Sequence, residues 1–194
     1  MTRKPDSAIE ASLPTRRDGG RHDTRTWFIT GASSGLGRAL AQYVLLRGDR
    51  VVLASRTVVG PGIHGCEFPG RALAVAMDVT RRDQRAAAVE HAVNQFGGID
   101  VLVNDAGIDF LGAIEEQRED DYRAQFEVNL FGAVEMIRLV LPGMRARGTG
   151  TIVNISSMDG LCSLPANGYY SSSKFALLKA CMSASPQMSA QTGM

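Results

Sequence analysis

The sequence predicts an α/β fold, a doubly wound parallel sheet with helices packed on both faces. Three observations carry that expectation. Apolar runs alternate with helix-period segments from Thr26 to Ser183, as successive βαβ units require. The runs, such as Val51-Val52-Leu53-Ala54-Ser55 and Ile99-Asp100-Val101-Leu102-Val103-Asn104, are mostly apolar without alternation, which suits strands covered on both sides. The stretch Thr30-Gly31-Ala32-Ser33-Ser34-Gly35-Leu36-Gly37 lies where one such run hands over to a helical pattern. Glycines there let the backbone approach an anion, and the unpaired N–H groups of a first helical turn point at it.

The elements follow in order. Trp27-Phe28-Ile29 forms the first strand, and Leu36, Leu40, Tyr43 and Val44 mark the inner face of a helix over Leu36 to Arg47. Val51 to Ser55 is the second strand. Val58 to Gly70 is broken by Gly60-Pro61-Gly62, Gly65 and Pro69-Gly70, so the second crossover is expected as a loop or one short turn. Ala72 to Met77 gives a third strand. Thr80 is placed to cap a helix over Arg81 to Phe96 with Ala86, Val89, Ala92, Val93 and Phe96 inward, closed by Gly97-Gly98. Ile99 to Asn104 is the fourth strand. A long helical region from about Asp120 to Arg147 turns Phe126, Leu130, Val134, Ile137 and Val140-Leu141 inward, with Pro142 expected to kink or interrupt its last turns. Thr151 to Ser156 is the fifth strand, and a last helix carries Tyr169 to about Ser183, stopped by Pro186.

Composition narrows the function classes. At 194 residues and 44% hydrophobic content the chain can bury one substantial core, giving a single domain over 26–183. A polar leader over 1–25 and an irregular tail over 184–194 flank it. With 21 basic against 20 acidic residues, no basic surplus points to nucleic acid. No apolar stretch is long enough to span a membrane, and the leader lacks the apolar core of a secretion signal. Cys66, Cys162 and Cys181 form no CxxC pair, which suits reduced thiols in a cytoplasmic protein. None is spaced to bind a metal with His22, His64 or His91.

The chemistry collects at the strand ends, where open parallel sheets hold their ligands. Those ends read Thr30-Gly31, Ser55-Arg56, Asp78-Val79, Asn104-Asp105-Ala106-Gly107 and Ser156-Ser157, each polar where its strand is apolar. The second decides between dinucleotides. A carboxylate about 20 residues past the glycine turn would hold the ribose 2′-OH of NAD. Ser55 and Arg56 stand there instead, and a guanidinium suits a 2′-phosphate, so NADP is expected and NAD less so. In the last helix Tyr170 and Lys174 lie four apart and share a face. An ammonium beside a phenol favours proton transfer near neutral pH. Tyr170 could then exchange a proton with a substrate oxygen that Ser157 also hydrogen-bonds.

These motifs resemble the classical short-chain dehydrogenase/reductase family over Thr26 to roughly Lys179. The family's TGxxxGxG turn is Thr30 to Gly37, and its NNAG element is Asn104-Asp105-Ala106-Gly107. Its helix asparagine is Asn129, its serine is Ser157, thirteen positions before the tyrosine, and its YxxxK is Tyr170 to Lys174. Tyr169 is also at hand, but only Tyr170 has a lysine four residues on. The resemblance implies a Rossmann-like sheet of about five strands in the order 3-2-1-4-5, and NADP-linked interconversion of a small-molecule alcohol and carbonyl. It assigns Tyr170 as acid/base, Lys174 to the nicotinamide ribose and the tyrosine, Ser157 to the substrate oxygen, and Asn129 to a water in the proton relay. Gly31, Ser33, Ser34, Gly35, Leu36, Gly37, Ser55, Arg56, Asp78, Val79, Asn104, Ala106 and Gly107, with Tyr170 and Lys174, would line the cofactor.

Two departures qualify it. Asp105 replaces the second asparagine of NNAG and brings a carboxylate near the cofactor. Family members also continue for several dozen residues past the YxxxK helix, whereas Ala180 to Pro186 and the tail hold no strand-like run. A truncated or frame-shifted end is therefore expected, with the C-terminal strands missing, the fifth strand left as an apolar edge and the substrate pocket short of a wall. A homo-oligomer built on the long helices is implied, weakened by the shortened last helix. The competing reading is a catalytically silent dinucleotide-binding or interaction protein.

Overall fold

The computed structural model describes residues 24–58 and 68–182. Five strands form one parallel sheet: β1 (Thr26–Thr30), β2 (Arg50–Ser55), β3 (Ala72–Ala76), β4 (Val101–Asn104) and β5 (Thr151–Asn154). Their spatial order is β3-β2-β1-β4-β5, as expected. Register runs Thr30 beside Ala54 and Asn104, and Asn104 beside Asn154, so the carboxyl ends of the central strands are level. The order reverses between β1 and β4, which is where such sheets open a crevice.

Successive strand residues point to opposite faces, and here both faces are buried. Phe28, Val52, Ala54 and Leu102 enter one core with Ala88, Ala92, Met136, Ile137 and Val140. Ile29, Val51, Leu53, Val101 and Val103 enter the other with Ala41, Val44 and Leu45. Thus α2 (Arg82–Phe96) and α4 (Ala133–Arg147) cover one face and α1 (Gly35–Leu46) the other. α5 (Gly168–Met182) packs against α3 (Glu119–Phe126) and β5. β5 is an edge strand among the described residues, and no residue of it is fully buried.

Several expectations are corrected. The buried face of α1 is Gly37, Ala41, Val44 and Leu45, while Leu36 and Tyr43 are exposed. Gly37 takes the start of that face because it presses on Gly31 and Asp105, past the ends of β1 and β4. Thr80 does not cap α2. Asp78 Oδ1 accepts both its N–H and its hydroxyl, at 2.9 and 2.8 Å, and Arg81 occupies the N-cap without a side-chain bond. In α2, Arg85, Ala88 and Ala92 face inward and Ala86 and Val93 outward, because Arg85 reaches the Val79 carbonyl. The long helix is interrupted by a π-turn, Glu127–Gly132, between α3 and α4. That extra residue rotates the buried stripe to Gln125, Asn129, Gly132, Ala133, Met136, Ile137, Val140 and Met144, leaving Phe126, Leu130 and Val134 partly exposed. Pro142 lies inside α4 without ending it. Met77, Ile99 and Ser156 fall just outside their strands, and a 3₁₀ turn, Met158–Gly160, was not foreseen. Most of the second crossover, nearly all of the leader, the tail, Pro186, Cys66, His22 and His64 lie outside the described residues, as does the Cys181 side chain.

Candidate active site

Thr30 is buried at the end of β1, where the strand order reverses toward β4. Its hydroxyl oxygen accepts the N–H groups of Asp105 and Ala106, both at 3.1 Å, and donates toward the Val103 carbonyl at 3.4 Å. This bond joins the ends of β1 and β4. It also brings Gly31, at φ +72°, so close to β4 that a Cβ there would lie 2.9 Å from Ala106 backbone atoms. Only glycine fits both conditions. At Gly37 a Cβ would lie 2.6 Å from Asp105 Oδ2 and 2.9 Å from the Gly31 carbonyl oxygen.

Ser34 occupies the N-cap of α1 and makes no side-chain cap bond, while Ser34, Gly35 and Leu36 are exposed. The first-turn N–H groups therefore face solvent without a side-chain partner, which is what a phosphate-bearing ligand needs. The exception is Gly37, whose N–H donates to the Asp105 carboxylate. Burial pushes the Asp105 carboxyl above the usual carboxylate range, with the Gly37 N–H and the Lys174 charge opposing.

At the other strand ends, Ser55 is buried with its hydroxyl donating to the Thr57 carbonyl, and Arg56 beside it is exposed. Asp78 donates its N–H to Gln84 Oε1, and Val79 packs on Gly132, where a Cβ would meet it at 3.0 Å. Asn104 donates to Asn154 Oδ1 at 2.8 Å, tying β4 to β5, while its own Oδ1 is buried without a partner. β2 and β5 are three strand spacings apart, about 14 Å at ~4.8 Å each. Only an extended ligand can touch Arg56 and the β5 end together.

The reactive candidates converge around Gly107. A Cβ there would lie 3.3 Å from Lys174 Nζ and 3.4 Å from Asn129 Oδ1, so the missing side chain leaves both approachable. Lys174 is buried, donates to the Ile155 carbonyl at 2.9 Å, and stands 5.7 Å from the centre of the Tyr170 ring. Burial lowers its pKa below the usual lysine range, and the Asp105 charge pulls the other way. Tyr169 is engaged elsewhere, stacked on Tyr122 at 4.4 Å. Asn129, in the π-turn, exchanges two hydrogen bonds with the Ile108 backbone and donates to Ser173 Oγ at 3.1 Å. Ser157 Oγ accepts the Asp159 N–H at 3.2 Å. In the loops that follow β4 and Ser157 in the chain, the apolar side chains of Leu111, Ile114, Met158, Leu161 and Leu164 are exposed.

Asn154, Ser173 and Asn167 were not singled out from sequence as site-building residues. Asn154 and Ser173 show themselves only through partners 50 and 44 positions away, and Asn167 only through the turn that brings it to Asp159. Among the described residues no group of three or more His, Cys, Asp or Glu could hold a metal ion, and no helix is long and apolar enough to cross a membrane.

Comparison with known proteins bears on this geometry. The family described as short chain dehydrogenase matches residues 25–192. A 3-ketodihydrosphingosine reductase of Bacteroides thetaiotaomicron is 40% identical over 149 residues, covering 77% of this chain and 53% of that protein. A 3-alpha-(or 20-beta)-hydroxysteroid dehydrogenase of Mycobacterium tuberculosis is 35% identical, over 81% of this chain and 61% of its own length. The crystal structure of a short-chain dehydrogenase from Streptomyces avermitilis superposes with a TM-score of 0.80 at 37% identity, covering 83% of this chain and 59% of that one. The chain spans about half to three-fifths of the length of the relatives it matches.

Proposed function

The chain belongs to the short-chain dehydrogenase family, and from that premise we propose that it interconverts a small-molecule alcohol and carbonyl using NADP, with Tyr170 as acid/base. The observation that carries this reading is the setting of Lys174. Its ammonium is fixed by the Ile155 carbonyl, faces the Tyr170 ring and borders the gap at Gly107. Bound NADP would donate or accept the hydride.

The protein's own residues then divide the remaining work. Gly31, Ser33, Ser34, Gly35 and Leu36 would line the pyrophosphate with their backbone N–H groups, and Gly37 would let the turn close on Asp105 beneath it. Arg56 meets the 2′-phosphate with Ser55 beside it, and Asp78, Val79, Asn104, Ala106 and Gly107 line the rest of the cleft. Lys174 holds the nicotinamide ribose. In the reductive direction Tyr170 gives its phenolic proton to the carbonyl oxygen, and Ser157 donates a hydrogen bond to that same oxygen, stabilising the charge that develops there. Asn129 holds a water through which the proton is replaced. The exposed apolar side chains of Met158, Leu161 and Leu164, in the segment that follows Ser157 in the chain, favour a substrate with an apolar body. Self-association through α4 and α5, where Leu139 and Phe175 are exposed, belongs to the same reading.

The test is an NADPH titration followed by a carbonyl and alcohol panel on the parent protein and Tyr170→Phe. The reading expects NADPH to raise the melting temperature of both proteins. It expects carbonyl-dependent NADPH consumption in the parent alone, with a loss of about 10²–10⁴-fold in the variant. Binding without turnover across the panel replaces it with a silent dinucleotide-binding protein. Absence of NADPH binding removes both.

A further inference from the structure

Ser157 and Tyr170 reach the cleft from separate elements, one after β5 and the other in the first turn of α5, so their spacing depends on the loop between them. Among the described residues one hydrogen bond between two side chains spans that loop, alongside the bonds of Ser156 Oγ to the Lys174 carbonyl and of Lys174 Nζ to the Ile155 carbonyl. Asn167 Nδ2 donates to Asp159 Oδ2 at 2.6 Å, closing a ring between positions eight residues apart. One partner is tied directly to a reacting group, the other to the first turn of the helix that carries the second. The Asp159 N–H donates to Ser157 Oγ, and the Asn167 carbonyl accepts the Ser171 N–H at 2.9 Å, opening the helix that carries Tyr170.

We propose that Asp159 and Asn167 form a positioning pair that sets Ser157 against Tyr170, a role resting on the function proposed above.

Three further features bear on it. Asn167 is only 6% exposed, and its Oδ1 is buried with no partner, so the contact to Asp159 is what orients its amide. Ala166, immediately before it, is held at φ +62°, a conformation that non-glycine residues adopt only when their surroundings impose it. Gly160, immediately after Asp159, is pressed onto α5, since a Cβ there would lie 2.7 Å from Ser156 Oγ and 3.2 Å from the Lys174 carbonyl. The 3₁₀ turn and the helix are thus in contact on one side and bridged by a charge-assisted hydrogen bond on the other. There is a chemical consequence at Ser157. With the Asp159 N–H occupying a lone pair of Oγ, the hydroxyl proton is left to donate to a carbonyl oxygen.

The experiment compares Asp159→Ala, Asn167→Ala, the double variant and Asp159→Asn in NADPH-dependent carbonyl reduction. The asparagine variant retains an acceptor for the Asn167 amide and removes the charge. Both alanine variants should lower kcat by about 10–100-fold, the scale of a misplaced reacting group. The double variant should be no worse than either single one, Asp159→Asn should recover most of the loss, and Kd for NADPH should stay within about twofold throughout. Unchanged kcat in the alanine variants, additive losses in the double, or an Asp159→Asn as impaired as Asp159→Ala would each overturn the pair. If the parent reduces no carbonyl, the function proposed above fails separately. Amide exchange at Asp159 then decides the pair, with Asn167→Ala expected to accelerate it about tenfold or more and unchanged exchange overturning it.

Discussion

Asn129 and Ile108 hold each other by two hydrogen bonds. The Asn129 side-chain oxygen accepts the Ile108 N–H at 2.8 Å, and its amide donates to the Ile108 carbonyl at 2.9 Å. A side chain in the π-turn thereby takes the place of a neighbouring strand for the loop leaving β4, and Gly107 is set between Asn129 and Lys174 as a result. Removing the amide strands two backbone groups and the Ser173 contact. Asn129→Ala should destabilise the fold by about 2–4 kcal/mol, measured by chemical denaturation at constant m-value. A loss under about 0.5 kcal/mol would show that water replaces the amide without cost.

Gly37→Ala should damage cofactor binding more than stability. The added carbon meets a carboxylate oxygen at 2.6 Å and a backbone oxygen at 2.9 Å, and only the first can move aside. Such overpacking costs about 1–3 kcal/mol. NADPH affinity should fall by more than that cost predicts, because the N–H groups of the turn shift with it. Isothermal titration beside thermal unfolding separates the two effects.

The Asp105 carboxyl, raised chiefly by burial, makes a signed prediction. A raised native pKa means that the folded state binds the proton more tightly than the unfolded chain. Its contribution to stability is therefore present at low pH and is lost as pH rises from the ordinary carboxylate range through the raised value. Asp105→Asn stays neutral and keeps an acceptor for Gly37. Its melting temperature relative to the parent should therefore increase between about pH 4 and about pH 7. A difference that is flat or falls over that range would contradict the assignment. The same variant removes the charge that supports protonated Lys174, so the lysine should titrate lower still, readable by NMR of its Nζ.

Arg56→Glu tests the choice of dinucleotide. A carboxylate at the β2 end repels a 2′-phosphate and suits a ribose hydroxyl. The ratio of NADPH to NADH affinity should fall by about 10–100-fold, the worth of a charge-assisted hydrogen bond. An unchanged ratio would place the 2′-phosphate elsewhere.

How much of this was legible beforehand depended on distance along the chain. The glycine turn, the five strands and the Tyr170–Lys174 spacing are local patterns, set by φ freedom and by periods of two and 3.6, so they could be read residue by residue. So could the sheet order, once those motifs identified the family resemblance. The inward faces of α1, α2 and the long helix could be read only in part. Val44, Ala92, Ile137 and Val140 are buried as apolarity predicts, but it also favoured Leu36, Val93 and Leu130, where packing buried Gly37, Arg85 and Asn129 instead.

Sequence alone determined, to within two residues, where strands end and which reactive groups lie there, because backbone conformation and hydrophobic period are encoded locally. The tertiary structure decided what those groups face. Thr30 meets Asp105 and Ala106 across 75 and 76 positions, Asn104 meets Asn154 across 50, and Asn129 meets Ser173 across 44. No local pattern encodes such pairs. They form only when the sheet brings the ends of β1, β4 and β5 level and the π-turn rotates one asparagine inward.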